Sequence, residues 1–312
     1  MIDPSLYEFV EDTRQFNERV KRTIKDLGEL KTLEEIKERR VNPGFLVQPQ
    51  PVEHAIVREV PGPAGPIGVR VLVPPTVQAV YLDIHGGGWV FGSAWRSDRG
   101  NWALAQAADV AVVSVDYRLA PEDPYPAGPD DCEAVAAWLL THAASEFGAD
   151  RLIIGGASAG AHLAALTLLR MRDRHAAIDR FLGANLVFGA YDLSLTPSAR
   201  RAVDPSPVSA ASQRTVIGHF LPGRTEGELR DPEYSPLYAD LTGLPPALFT
   251  VGTGDPLLDD SLFMAARWEA AGNDAELAVY PEGLHGFVAA PTRMAQAARS
   301  RIQSWVAKRA RA

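Results

Sequence analysis

One cysteine, Cys132, stands in a chain of 312 residues. No intrachain disulfide can form, and no thiolate metal cluster is expected. No apolar run approaches the roughly 20 residues of a membrane span, so no membrane insertion is expected. Positive charge is in short supply: 31 Lys and Arg stand against 39 Asp and Glu, a formal net charge of -8. That balance argues against a nucleic-acid partner or an anionic membrane surface, which need a basic patch. Met1-Ile2-Asp3-Pro4 is followed by acidic and polar residues, not by a basic region and an apolar core. No secretory signal is read there, and the cytoplasm is the default compartment. Internal repeats and low-complexity tracts are absent. What is present is ordinary for a globular chain: 46% hydrophobic and 22% charged residues, enough for a substantial core.

Taken in order, residues 6–40 carry helical periodicity, with Leu6, Phe9, Val10, Phe16, Val20, Ile24 and Leu27 separated by charges. One or two amphipathic helices are expected, stopped by Asn42-Pro43-Gly44. Ala55-Ile56-Val57 and Ile67 to Val73 read as an antiparallel hairpin at a sheet edge. Buried strands follow at Ala79–Ile84, Val110–Val115, Arg151–Ile154, Ala184–Phe188, Ala247–Val251 and Glu276–Tyr280, alternating with helical stretches. Alternation of this kind predicts an α/β fold with a mostly parallel sheet covered on both faces. Residues 194–241 are rich in Pro, Ser, Arg and Gly and too long for a plain loop, so a partly helical insertion with a functional role is expected. The organisation expected is an N-terminal helical segment over 1–45, a core over 46–193, the insertion over 194–241 and the rest of the core over 242–312.

Three turns fall at the C-terminal ends of strands, the edge where an open α/β sheet places its ligand crevice. In the first, Gly156-Ala157-Ser158-Ala159-Gly160 matches G-x-S-x-G between a strand and a helix. A serine there is forced into a strained backbone and lifted into the crevice. The second turn carries Asp255 and the third His285, giving the order Ser, Asp, His. A serine hydroxyl needs a base to become a nucleophile, imidazole titrates near neutrality, and a buried carboxylate fixes the imidazole tautomer. Asp255 competes with Asp259 and Asp260, which lie a turn into the next helix and should point away. Of seven histidines, His285 alone follows a strand at the right place in this order. His162, one helical turn after Ser158, reads as a packing residue. His54, His142, His175 and His219 sit in surface or insertion contexts. His85-Gly86-Gly87-Gly88-Trp89 follows a buried strand and frees backbone N–H groups to face an anion, joined by the N–H of Ala159. His85 reads as a residue that orients this loop.

The set His85-Gly86-Gly87-Gly88-Trp89, Asp116-Tyr117-Arg118-Leu119-Ala120-Pro121-Glu122, Gly156–Gly160, Asp255-Pro256-Leu257 and His285-Gly286-Phe287 resembles the hormone-sensitive-lipase family of α/β-hydrolases, the bacterial group IV carboxylesterases. The likeness runs from about residue 50 to the C-terminus. It implies an α/β-hydrolase fold with a helical cap from the N-terminal segment and the insertion. It also implies Ser158 as nucleophile, His285 as base, Asp255 as acid and an oxyanion hole of the Gly86, Gly87 and Ala159 N–H groups. The Tyr117–Pro121 loop is implied as support for the glycine loop. Many members have Gly-Asp-Ser-Ala-Gly-Gly; here Ala157 and Ala161 replace the aspartate and the last glycine, which leaves the subgroup and its substrate preference open.

The activity expected is hydrolysis of short to medium acyl esters through an acyl-enzyme, with a small-molecule ester as partner and neither cofactor nor metal. An amidase, lactonase or carbamate hydrolase would use the same serine, and a non-catalytic binding relative would have lost the histidine that this chain keeps. Trp89, Phe91, Tyr191, Phe220 and Phe287 are candidates for the substrate pocket, with core packing the competing role. Oligomeric state is left open, a homodimer included.

Overall fold

Short runs of β-branched and other apolar residues become the eight strands of one sheet. The computed structural model describes residues 2–23, 32–41, 51–203, 206 and 208–312. The strands are β1 (Ile56–Gly62), β2 (Gly65–Leu72), β3 (Ala79–Ile84), β4 (Val110–Val115), β5 (Leu152–Ala157), β6 (Phe181–Val187), β7 (Ala247–Gly252) and β8 (Ala275–Tyr280). Their order across the sheet is β1-β2-β4-β3-β5-β6-β7-β8. β1, β2 and β4 pair antiparallel, and every pairing from β4 through β3 to β8 is parallel. The edge hairpin is thus where the sequence places it, and the bulk of the sheet is parallel.

Helices cover both faces, and the strands alternate between two cores accordingly. In β3, Val80, Leu82 and Ile84 point into the core packed by α4 (Ala127–Phe147) and α5 (Ala159–Asp173), while Ala79 and Tyr81 point to the other. α3 (Asp98–Ala108) and α9 (Arg293–Ala310) cover that second face, and α8 (Leu258–Ala270) joins the first. The sheet is held so tightly against α5 that a Cβ on Gly160 would lie 1.9 Å from the Ile84 carbonyl oxygen. No larger residue fits there without moving β3 or the helix.

The N-terminal segment forms a 3-10 turn at Pro4–Phe9, then α1 (Val10–Thr23) and α2 (Leu33–Val41). Ile24, Leu27 and the Asn42-Pro43-Gly44 stop lie outside the described residues. α1 lies along the start of α9: the Asp12 carboxylate accepts the Arg293 N–H at 2.9 Å, and the Arg293 guanidinium sits 4.2 Å over the Phe9 ring. α2 buries Ile36 completely. Residues 194–241 contain α6 (Pro197–Arg201), α7 (Ala210–Phe220) and short 3-10 turns at Glu228–Arg230 and Pro236–Tyr238. The insertion is partly helical, as its length and composition suggest.

Candidate active site

The serine turn is strained in the way its flanking residues imply. Ser158 links β5 to α5 with φ 57 and ψ -122, a backbone region that a residue with a side chain occupies only when its surroundings impose it. Its own N–H is tied to the Val187 carbonyl at 2.9 Å, and its carbonyl receives the Ala161 N–H at 3.0 Å. The hydroxyl is left half-buried at the C-terminal edge of the sheet.

Two further loops at the same edge bring up the other groups. The loop after β7 carries Asp255 and the loop after β8 carries His285. They are laced together by Thr253 N–H to Tyr280 O at 2.9 Å and Gly254 N–H to Gly283 O at 3.0 Å. His285 Nε2 lies 3.0 Å from Ser158 Oγ, and His285 Nδ1 lies 3.0 Å from both Asp255 carboxylate oxygens. Asp255 is only 3% exposed, and its Oδ1 also accepts the Leu257 N–H at 2.8 Å. An ionised carboxylate can only accept, so Nδ1 carries the proton and donates. Nε2 is then the acceptor that faces the serine hydroxyl. The Phe188 ring, 4.8 Å from the imidazole, packs on its flank.

Asp259 and Asp260, the competing acids, serve another purpose. Asp259 accepts the Ser198 N–H at 2.7 Å. Asp260 accepts the N–H groups of Tyr191 and Asp192 at 2.7 and 3.0 Å and the Thr196 hydroxyl at 2.6 Å. Together they fasten the root of the insertion to α8. Burial pushes the Asp260 carboxyl up to about 7.

The glycine loop lies against the serine turn. A Cβ on Gly86 would meet the Ala157 carbonyl oxygen at 2.6 Å and Ser158 Cβ at 3.5 Å. Gly87 has φ 131, and its carbonyl accepts the Phe91 N–H at 2.8 Å, which closes the turn. Ala159 opens α5, where no preceding helical carbonyl is available to its N–H. The loop is braced from beneath. His85 is stacked on Tyr117 with centroids 4.3 Å apart, and its Nδ1 donates to the Gly86 carbonyl at 2.8 Å. Burial pushes the His85 pKa below the usual imidazole value, so the ring stays neutral. The Tyr117 hydroxyl donates to the His85 carbonyl at 3.0 Å, and Ala120 N–H to the Trp89 carbonyl at 3.0 Å. Arg40 of α2 adds a brace the sequence did not disclose. Its guanidinium donates to the Val90 and Ala120 carbonyls, both at 2.8 Å, and pairs with Glu122.

The aromatic pocket candidates are mostly packed away. Trp89 is 3% exposed and stacked flat on Phe220, itself 2% exposed. Tyr191 is fully buried, edge-on to Phe249. Phe287 is 5% exposed between Phe188 and Tyr280. Only Phe91 remains half-buried. Aromatic rings serve cores as readily as pockets, and here the insertion and the sheet take them. Val216 of α7 is another residue beside the glycine loop that the sequence does not single out. It is half-buried, with side-chain atoms 3.3–3.4 Å from where a Gly88 Cβ would sit, so it roofs the glycine loop. A lone valine in a helix carries no chemical signal by which to find it.

A doubly covered parallel sheet, a strained serine between β5 and α5 and an imidazole bridging that serine to a buried aspartate define an α/β-hydrolase. Comparison with known proteins agrees. The sequence profile of a family with the alpha/beta hydrolase fold matches residues 81–289. Carboxylesterase NlhH of Mycobacterium tuberculosis is 37% identical over 236 residues, 71% of each chain. The acetyl esterase of Salmonella schwarzengrund is 30% identical over 232 residues, covering 73% of this chain and 72% of that one. The esterase of Pyrobaculum calidifontis superposes with a TM-score of 0.80 over 100% of both chains at 28% identity. The chain belongs to the hormone-sensitive-lipase-like, group IV branch of the α/β-hydrolases, and it is a carboxylic ester hydrolase.

Proposed function

We propose that the protein is a serine esterase that cleaves short to medium acyl esters through an acyl-enzyme on Ser158. The observation that carries this reading is the imidazole of His285, 3.0 Å from Ser158 Oγ on one side and 3.0 Å from Asp255 on the other. Ser158 Oγ attacks the ester carbonyl as its proton passes to His285 Nε2, and Asp255 stabilises the imidazolium. The carbonyl oxygen gains negative charge and faces the N–H groups of Gly86, Gly87 and Ala159. One such donor contributes about 2.7–4 kcal/mol in the transition state. His285 returns the proton to the departing alcohol. Water then attacks the acyl group with His285 as base, and the acid leaves.

The N-terminal segment and the insertion act as a cap over this site. Support for a short acyl group comes from Val216, whose place over Gly88 narrows the crevice beside the glycine loop. Turnover of p-nitrophenyl esters from acetate to palmitate tests the reading. The highest kcat/KM is expected between acetate and hexanoate, with a steep fall beyond octanoate. An optimum at palmitate would refute the narrow crevice, and no ester turnover by folded protein would refute the activity.

A further inference from the structure

Trp89 ends the glycine loop with a left-handed backbone, φ 60, one residue after Gly88. A tryptophan holds that conformation only when its surroundings impose it, and besides the Ala120 N–H on its carbonyl the side chain is itself held. Two contacts hold it. The indole lies flat on Phe220 of α7, with centroids 4.9 Å apart and planes at 12°. Its Nε1–H donates to His162 Nδ1 at 3.0 Å. His162 stands on α5, four residues after Ser158, and is fully buried. Its ring meets the indole edge-on at 5.1 Å. Its Nε2 lies 2.7 Å from the Tyr234 carbonyl oxygen in the insertion.

These bonds fix the ring's state. An indole N–H can only donate, so Nδ1 accepts; Nε2 therefore carries the proton and donates to Tyr234. Burial pushes the His162 pKa down to about 4, so the ring is neutral at neutral pH and this tautomer uses both nitrogens. One imidazole thus joins three parts: the nucleophile's helix, the glycine loop and the insertion. Filling the same space needs only a ring; joining these parts needs both nitrogens.

We propose that His162 is a positioning residue for the oxyanion hole. Through the Trp89 indole it sets where the Gly86 and Gly87 N–H groups stand. Through the Tyr234 carbonyl it makes that placement depend on a docked insertion. The proposal rests on the acyl-enzyme reading above, because the loop it positions acts on the tetrahedral oxyanion.

The test compares Trp89→Phe, His162→Phe, the double variant and His162→Asn in steady-state ester hydrolysis. Trp89→Phe keeps the stack on Phe220 and loses only the donor. His162→Phe keeps a ring and loses both bonds. A misplaced oxyanion donor weakens the transition state more than the ground state. Each phenylalanine variant is therefore expected to lose about ten- to a hundredfold in kcat with KM within about threefold. The double variant should lose no more than the worse single one, since both remove the same bond. His162→Asn presents an acceptor where Nδ1 stood and should regain most of the kcat. Wild-type kcat in folded variants, an effect on KM alone or additive losses would overturn the proposal. The Trp89 Nε1 proton resonance provides a readout independent of turnover. It is expected to move upfield in His162→Phe and to stay near its wild-type position in His162→Asn; an unmoved resonance in His162→Phe overturns the hydrogen bond. If His162→Phe does not fold, Trp89→Phe and His162→Asn decide the matter. Ester turnover that survives Ser158→Ala would instead fault the underlying mechanism, while the resonance would still report the joint.

Discussion

Ser158→Ala is expected to lower kcat for ester hydrolysis by about a millionfold, with the thermal unfolding temperature unchanged within a few degrees. The size of the loss follows from the role. In the proposed mechanism no acyl-enzyme can form without Oγ, and His285, held against Asp255, would have only water to activate. The residual rate would come from binding and from the N–H groups proposed to face the oxyanion. The fold should tolerate the change because the backbone, not the hydroxyl, is what the surroundings hold: Ser158 N–H is tied to Val187 and its carbonyl to Ala161. Steady-state kinetics on p-nitrophenyl acetate read the effect directly. A loss below about a hundredfold would mean that another group carries the reaction.

Asp255→Asn is expected to lower kcat by about ten-thousandfold while the site keeps its shape. The aspartate already accepts the Leu257 N–H through Oδ1. An asparagine would keep that bond with its carbonyl oxygen and turn its amide toward His285 Nδ1. Two donors cannot share one bond, so the imidazole proton would move to Nε2. Nε2 would then point a hydrogen at Ser158 and could take none from it. The same kinetic assay checks this, with KM expected to change little because Asp255 is buried against His285. A loss under about tenfold would show that the carboxylate does not set the tautomer.

The parts of the molecule legible in the sequence are those fixed by local pattern. Strand positions follow from short apolar runs, the edge hairpin from its Pro/Gly turn, and Ser158, Asp255 and His285 from turns that each follow a strand. Contacts set by packing across the chain were not legible. His162 read as a packing residue because its partners, Trp89 and Tyr234, lie 73 and 72 positions away. For Trp89, Tyr191, Phe220 and Phe287 pocket and core packing stay open in the sequence, because composition does not say which face of an aromatic ring meets solvent. The insertion was recognisable by its length, but where α7 docks depends on Phe220 finding Trp89. Arg40 was hidden for a similar reason: an arginine among charged helical residues gives no sign that it reaches two loop carbonyls.

Labelling with a serine-directed fluorophosphonate, followed by peptide mass spectrometry, tests most directly whether Ser158 is the nucleophile. The phosphorus centre imitates the tetrahedral intermediate and needs the activated hydroxyl, the imidazole and the oxyanion donors at once. The account predicts one adduct per chain, on Ser158, abolished in Ser158→Ala and strongly slowed in Asp255→Asn. An adduct on another residue, or none on the folded wild-type protein, would contradict it.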